Sequence, residues 1–104
     1  MSLDSRFEWP RERLDREGPE SLALAELIAL LVRTGARGST SLRVADALLE
    51  RFGSLEALAR AGNAELRRVP GMGPAKIASL RAAFEIGARL ARTPLLPGEK
   101  LQSP

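Results

Sequence analysis

Between Leu66 and Leu80 the chain reads Leu66-Arg67-Arg68-Val69-Pro70-Gly71-Met72-Gly73-Pro74-Ala75-Lys76-Ile77-Ala78-Ser79-Leu80. These residue types at this spacing suit one kind of chemistry, the holding of an anion by bare backbone amides. Gly71 and Gly73 can take positive φ, and they put no side chain between main chain and ligand. Met72, between them, is expected to tuck into the core and lock the turn. Pro74 fits the first turn of a following helix. The amides at such a helix start lack internal partners and favour negative charge. Proline has no N–H, so the expected donors are Gly71, Met72, Gly73, Ala75 and Lys76. Lys76 and Arg81 would flank a bound phosphate with mobile positive charge, supported by Arg67 and Arg68. The small Ala78 is expected to let two helices cross closely, with Ile77 and Leu80 buried beneath.

Most other chemistry is excluded by composition. The chain has no cysteine and no histidine, so disulfides, thiol nucleophiles, thiolate zinc sites and histidine-based triads cannot form within it. A nuclease metal site needs clustered carboxylates, and Glu65 and Glu85 stand alone around the hairpin. No Asp follows Asp46, and Lys76 is the only lysine near the hairpin, which leaves a glycosylase-type centre without its parts. No enzymatic activity, cofactor or small-molecule substrate is expected. Charge points the same way as the hairpin. From Arg60 to Arg92 seven basic residues face only Glu65 and Glu85, a local +5 within an overall +3. A basic half on a neutral-to-acidic body suits an anionic partner, nucleic acid first.

The elements that must position this run are helical. Apolar residues recur at spacings of three and four, nowhere alternating over a strand's length, so the fold class is all-α. A length of 104 residues allows one domain, and the longest apolar run, Leu27 to Val32, is far short of the roughly 20 residues of a membrane span. Residues 1–8 read as a flexible segment, 9–92 as the helical domain and 93–104 as a linker. Pro10 opens a short helix to about Arg16, stopped by Gly18-Pro19, with Phe7, Trp9 and Leu14 as its apolar anchor. A second helix spans about Ser21 to Arg33 with a stripe of Leu24, Leu27, Ile28 and Leu31, and Gly35 follows its end. Gly38-Ser39-Thr40-Ser41 offers caps for a third, ending near Phe52-Gly53, with Leu42, Ala45, Leu48, Leu49 and Phe52 inward. Ser54 caps Leu55 to Ala61, Asn63 caps Ala64 to Arg68, and a long helix runs from Pro74 to Arg92. The expectation is a compact bundle of five or six short helices.

The run from Leu66 to Leu80 resembles the helix-hairpin-helix motif, whose role is sequence-independent binding of the DNA backbone. A first copy, Thr34-Gly35-Ala36-Arg37-Gly38-Ser39 leading to Ala45, is degenerate because it lacks a Gly-apolar-Gly core. Gly35, Arg37 and Gly38 are therefore a possible second contact, or only a helix connection. The segments Pro10-Arg-Glu-Arg-Leu14, Gly18-Pro-Glu-Ser-Leu22, Ala25-Glu26-Leu27-Ile28, Leu31-Val-Arg-Thr-Gly35 and Leu48-Leu-Glu-Arg-Phe-Gly-Ser-Leu55 add to it. Together they are similar to the N-terminal region of the bacterial RadC family, over roughly Phe7 to Pro104.

The resemblance implies a helical module ahead of a JAB/MPN-type, metallopeptidase-like domain whose zinc-binding His and Asp pattern is absent here; the tail from Lys100 to Pro104 looks like the point where it would begin. It also suggests DNA repair and a bacterial cytoplasmic setting, in line with the lack of a secretory signal. Where relatives show Leu-Ser-Asp, this chain has Leu22-Ala23-Leu24, so the second helix is expected to start on Ser21 or to lose a cap worth about 1 kcal/mol.

Two functions compete. A DNA-binding module would make weak, salt-sensitive backbone contacts, in the non-specific range of roughly 10⁻⁴–10⁻⁶ M with a salt slope near −3 for about three phosphates. No side chains are arranged for base readout. A protein-interaction module would instead dock the JAB/MPN-like domain or another protein, show no DNA affinity and expose an apolar patch.

Overall fold

The computed structural model describes residues 10–33 and 38–94. Over them the chain forms six α-helices and no strand: α1 Pro10–Glu17, α2 Leu24–Val32, α3 Gly38–Phe52, α4 Leu55–Arg60, α5 Asn63–Arg67 and α6 Pro74–Arg92. The fold is all-α, as the helical spacing predicts. Phe7, Trp9, Gly35, Arg37 and the tail from Leu95 lie outside the described residues.

Local chemistry explains most boundaries. Pro10 starts α1, and a 3₁₀ turn over Pro19–Ser21 follows it. Ser21 caps nothing: its hydroxyl donates to the Gly18 carbonyl at 2.7 Å. Leu22 is extended and buried, so the helix cannot begin before it, and α2 starts instead after Ala23. Alanine offers no oxygen, but Glu26 Oε1 accepts the Ala23 N–H at 2.8 Å and supplies half of a capping box. The other oxygen of Glu26 pairs with Arg13 Nη1, while Arg13 Nη2 donates to the Ser21 carbonyl at 2.7 Å. One half-buried arginine thus ties α1 to the start of α2.

The buried face of α2 differs from the expected stripe. Ile28, Ala29 and Val32 are buried with Ala25 packed beside them, whereas Leu24 and Leu31 are 40% and 39% exposed. Glu26 is the only polar residue in this helix, so its apolar pattern fits several registers equally well. The small Ala25 and Ala29 turn inward and let α2 approach its two main neighbours, α3 and α6.

α3 begins at Gly38, so Thr40 and Ser41 belong to its first turns rather than to its cap. Its inward residues are Val44, Ala45 and Leu48, with Leu42, Leu49 and Phe52 half-buried at the margin. Gly53 ends it at φ +84, its N–H on the Leu49 carbonyl at 2.8 Å. Ser54 caps α4 as expected, its hydroxyl accepting the Ala57 N–H at 3.1 Å. Asn63 is not the cap of α5. Gly62 holds that position, and Glu65 accepts its N–H at 3.1 Å.

A single core follows from these faces. Ile28, Val32, Val44, Leu48, Leu58, Leu66, Val69, Met72, Ile77 and Leu80 belong to it, so α2 to α6 and the hairpin share one apolar interior.

Candidate nucleic-acid interface

The connection between α5 and α6 is built on core anchors at both ends. Leu66 and Val69 hold the incoming chain, Ile77 and Leu80 hold the outgoing helix, and Met72 is buried between them as its position suggests. Val69 accepts the Met72 N–H at 3.1 Å across Pro70 and Gly71, with Gly71 at φ +93. Proline second and a left-handed glycine third are the marks of a type II turn. A Cβ on Gly71 would also lie 2.7 Å from Val44 Cγ2, so α3 closes the space above the turn.

Gly73 differs from Gly71. Its φ is −103, which any residue adopts, and a Cβ there would meet nothing within 4 Å. Folding does not require glycine at 73, and the main chain in front of it is open. Gly73 is the N-cap of α6 and accepts the Ile77 N–H at 3.0 Å.

These bonds decide which amides remain. The Met72 N–H is engaged in the turn and is removed from the expected donors; only its side chain serves the site. The N–H groups of Gly71, Gly73, Ala75 and Lys76 have no partner among the described residues. Lys76 is less mobile than expected, because its Nζ donates to the Gly71 carbonyl at 2.9 Å. The ammonium is thereby fixed at the hairpin mouth with two N–H bonds left for another acceptor.

The arginines divide between two sides. Arg67 and Arg81 line a groove with Asn63, Pro74, Ile77 and Ala78, where Arg81 Nη1 donates to Asn63 Oδ1 at 2.7 Å. Ala78 is exposed on this groove rather than buried at a helix crossing, since Ile77 and Leu80 already form that contact. Arg68 lines a separate groove on the α3 side, with Ala47, Glu50, Arg51, Val69 and Pro70. Arg51 carried no signal in the sequence, because its approach to Arg68 spans α4 and α5. Of the possible second contact, Gly38 opens α3, and Gly35 and Arg37 lie outside the described residues.

The cations around the hairpin keep their charge, as do Arg11, Arg43 and Arg60 elsewhere among the described residues. Among the described residues the ion pairs join Arg13 to Glu26, Arg16 to Glu17, and Arg89 and Arg92 to Glu85. Arg51, Arg67, Arg68, Lys76 and Arg81 have no carboxylate partner among the described residues. Also among the described residues, no group of three or more acidic side chains could hold a metal ion, and no helix is long and apolar enough to cross a membrane.

Comparison with known proteins adds a family. The family model described as UPF0758 N-terminal matches residues 5–78. A UPF0758 protein of Desulforudis audaxviator is 52% identical over 85 residues, 82% of this chain and 37% of the relative. One of Methylibium petroleiphilum is 52% identical over 91 residues, 83% of this chain and 41% of the relative. One of Syntrophotalea carbinolica is 43% identical over 99 residues, 93% of this chain and 44% of the relative. The chain therefore spans less than half the length of these relatives. No solved structure matches it significantly.

Proposed function

Because the chain belongs to the UPF0758 N-terminal family, the one its RadC-like segments resemble, we propose that it is a DNA-backbone-binding module without base specificity. One observation carries this reading: the free amides of Gly71, Gly73, Ala75 and Lys76 share one hairpin with an oriented ammonium and arginines that no carboxylate among the described residues neutralises. Bare amides and cations grouped around one turn suit a phosphate group. The open main chain at Gly73 allows that oxygen close approach, in the manner of the helix-hairpin-helix motif. The chain is read as non-enzymatic, serving to tether the rest of a longer protein to DNA, with a role in repair or recombination as the family resemblance suggests.

A second reading rests on the far end of α6, where Ile86 and Leu90 are 67% and 57% exposed. Such a face suits docking of the remainder of a longer family protein, including the JAB/MPN-like domain of the resemblance, or another partner.

Fluorescence anisotropy with a labelled random-sequence duplex at two salt concentrations separates the two. The DNA reading expects micromolar binding at low salt, weakening with a slope near −3 for about three phosphates. Absence of binding at low salt would overturn it in favour of the docking reading.

A further inference from the structure

The groove on the α3 side of the hairpin is lined by Ala47, Glu50, Arg51, Arg68, Val69 and Pro70, and it matches the α5–α6 groove in volume at about 260 Å³. Arg51 on α3 and Arg68, the residue that follows α5, both line this groove where the chain enters the turn. Among the described residues neither forms an ion pair, although Glu50 lines the same groove. Unpaired like charges brought together on a surface repel one another, and an arriving anion relieves that repulsion. The half-buried Ala47 leaves the floor shallow, and Val69 with Pro70 gives one wall an apolar edge.

We propose that Arg51 and Arg68 form a second phosphate grip on the side of the hairpin opposite Arg67 and Arg81, so that one backbone is held on both flanks of the turn. This rests on the DNA reading and deepens it. The hairpin amides take one phosphate, Arg67 and Arg81 a neighbour on one side, and Arg51 and Arg68 a neighbour on the other. The exposed ring of Pro70 meets sugar. Glu50 opposes the grip and keeps the contact weak. Arg51 acts from α3, outside the linear run that carries the other contacts, so the phosphate path crosses two separate parts of the sequence.

Four variants test this with the full chain and a random-sequence duplex, after melting curves followed by circular dichroism show an intact fold. Arg51→Gln is expected to weaken binding several-fold and to reduce the magnitude of the salt slope by about 0.9. Glu50→Gln is expected to tighten binding, an effect that a merely structural role would not produce. Arg81→Gln reports the opposite flank, and Arg11→Gln on α1 is the neutral control. Wild-type affinity and slope for Arg51→Gln beside a weakened Arg81→Gln would overturn the second grip and leave the hairpin reading standing. Equal competition by polyglutamate of matched charge would assign the groove to an acidic protein and overturn it too. No duplex binding by wild type at low salt would overturn both readings together.

Discussion

The two ends of α6 treat cationic side chains in opposite ways. At its start, Lys76 and Arg81 bond only to neutral oxygens, those of the Gly71 carbonyl and the Asn63 amide. At its finish, Arg89 and Arg92 converge on Glu85, at 2.9 and 3.7 Å. Neutral acceptors orient a cation and leave its charge in place, whereas the Glu85 carboxylate offsets one of the two charges beside it. The start of the helix is also locked to the core through Ile77 and Leu80, while Ile86 and Leu90 near its finish face solvent. One helix thus carries an anchored end whose cations keep their full charge and an apolar end whose two arginines share one carboxylate.

The largest effects should separate these ends by stability. Leu80→Ala removes a fully buried side chain and should cost about 2–5 kcal/mol in urea denaturation. Leu90→Ala should stay within about 0.5 kcal/mol. A comparable loss at Leu90 would mean that the far end is covered in solution. Glycines give a smaller contrast. Gly71→Ala combines left-handed strain with a clash against Val44 and should cost roughly 1–3 kcal/mol. Gly87→Ala, mid-helix with nothing near its Cβ position, should gain up to about 1 kcal/mol.

The smallest effect concerns pH. The Arg89 guanidinium, hydrogen-bonded to Glu85 and helped by Arg92, holds that carboxyl below its usual 4.5. Its contribution is therefore present above about that pH and is lost as pH falls through the lowered folded value. Glu85→Gln should lower stability slightly near neutrality, flatten the acid limb and converge with wild type at low pH.

What the sequence made legible was what short-range chemistry controls. Pro10, Gly53, Ser54 and Pro74 mark helix ends by local rules, and the structure keeps them. Met72 between two glycines has one apolar place to go, and its side chain goes there. The register of α2 was not legible, since a helix of nine residues with one polar side chain has no single apolar face. Asn63 looked like a cap, but Glu65 satisfies the Gly62 amide and the Asn63 oxygen turns to Arg81, 18 residues on. Gly71 and Gly73 look interchangeable in the sequence, yet only the first needs to be glycine for folding. The second groove joins Arg51 to Arg68 through tertiary packing alone.

Gly73 offers the most direct test of the central claim, because folding and binding make opposite demands on it. Aspartate is a better N-cap than glycine by a few tenths of a kcal/mol and fits the open backbone at φ −103. Placed there, it also sets a negative charge before the free amides. Gly73→Asp should melt at the wild-type temperature or slightly above while losing measurable affinity for a random-sequence duplex at low salt. A variant that folds normally and still binds with wild-type affinity would contradict the assignment of the hairpin to phosphate.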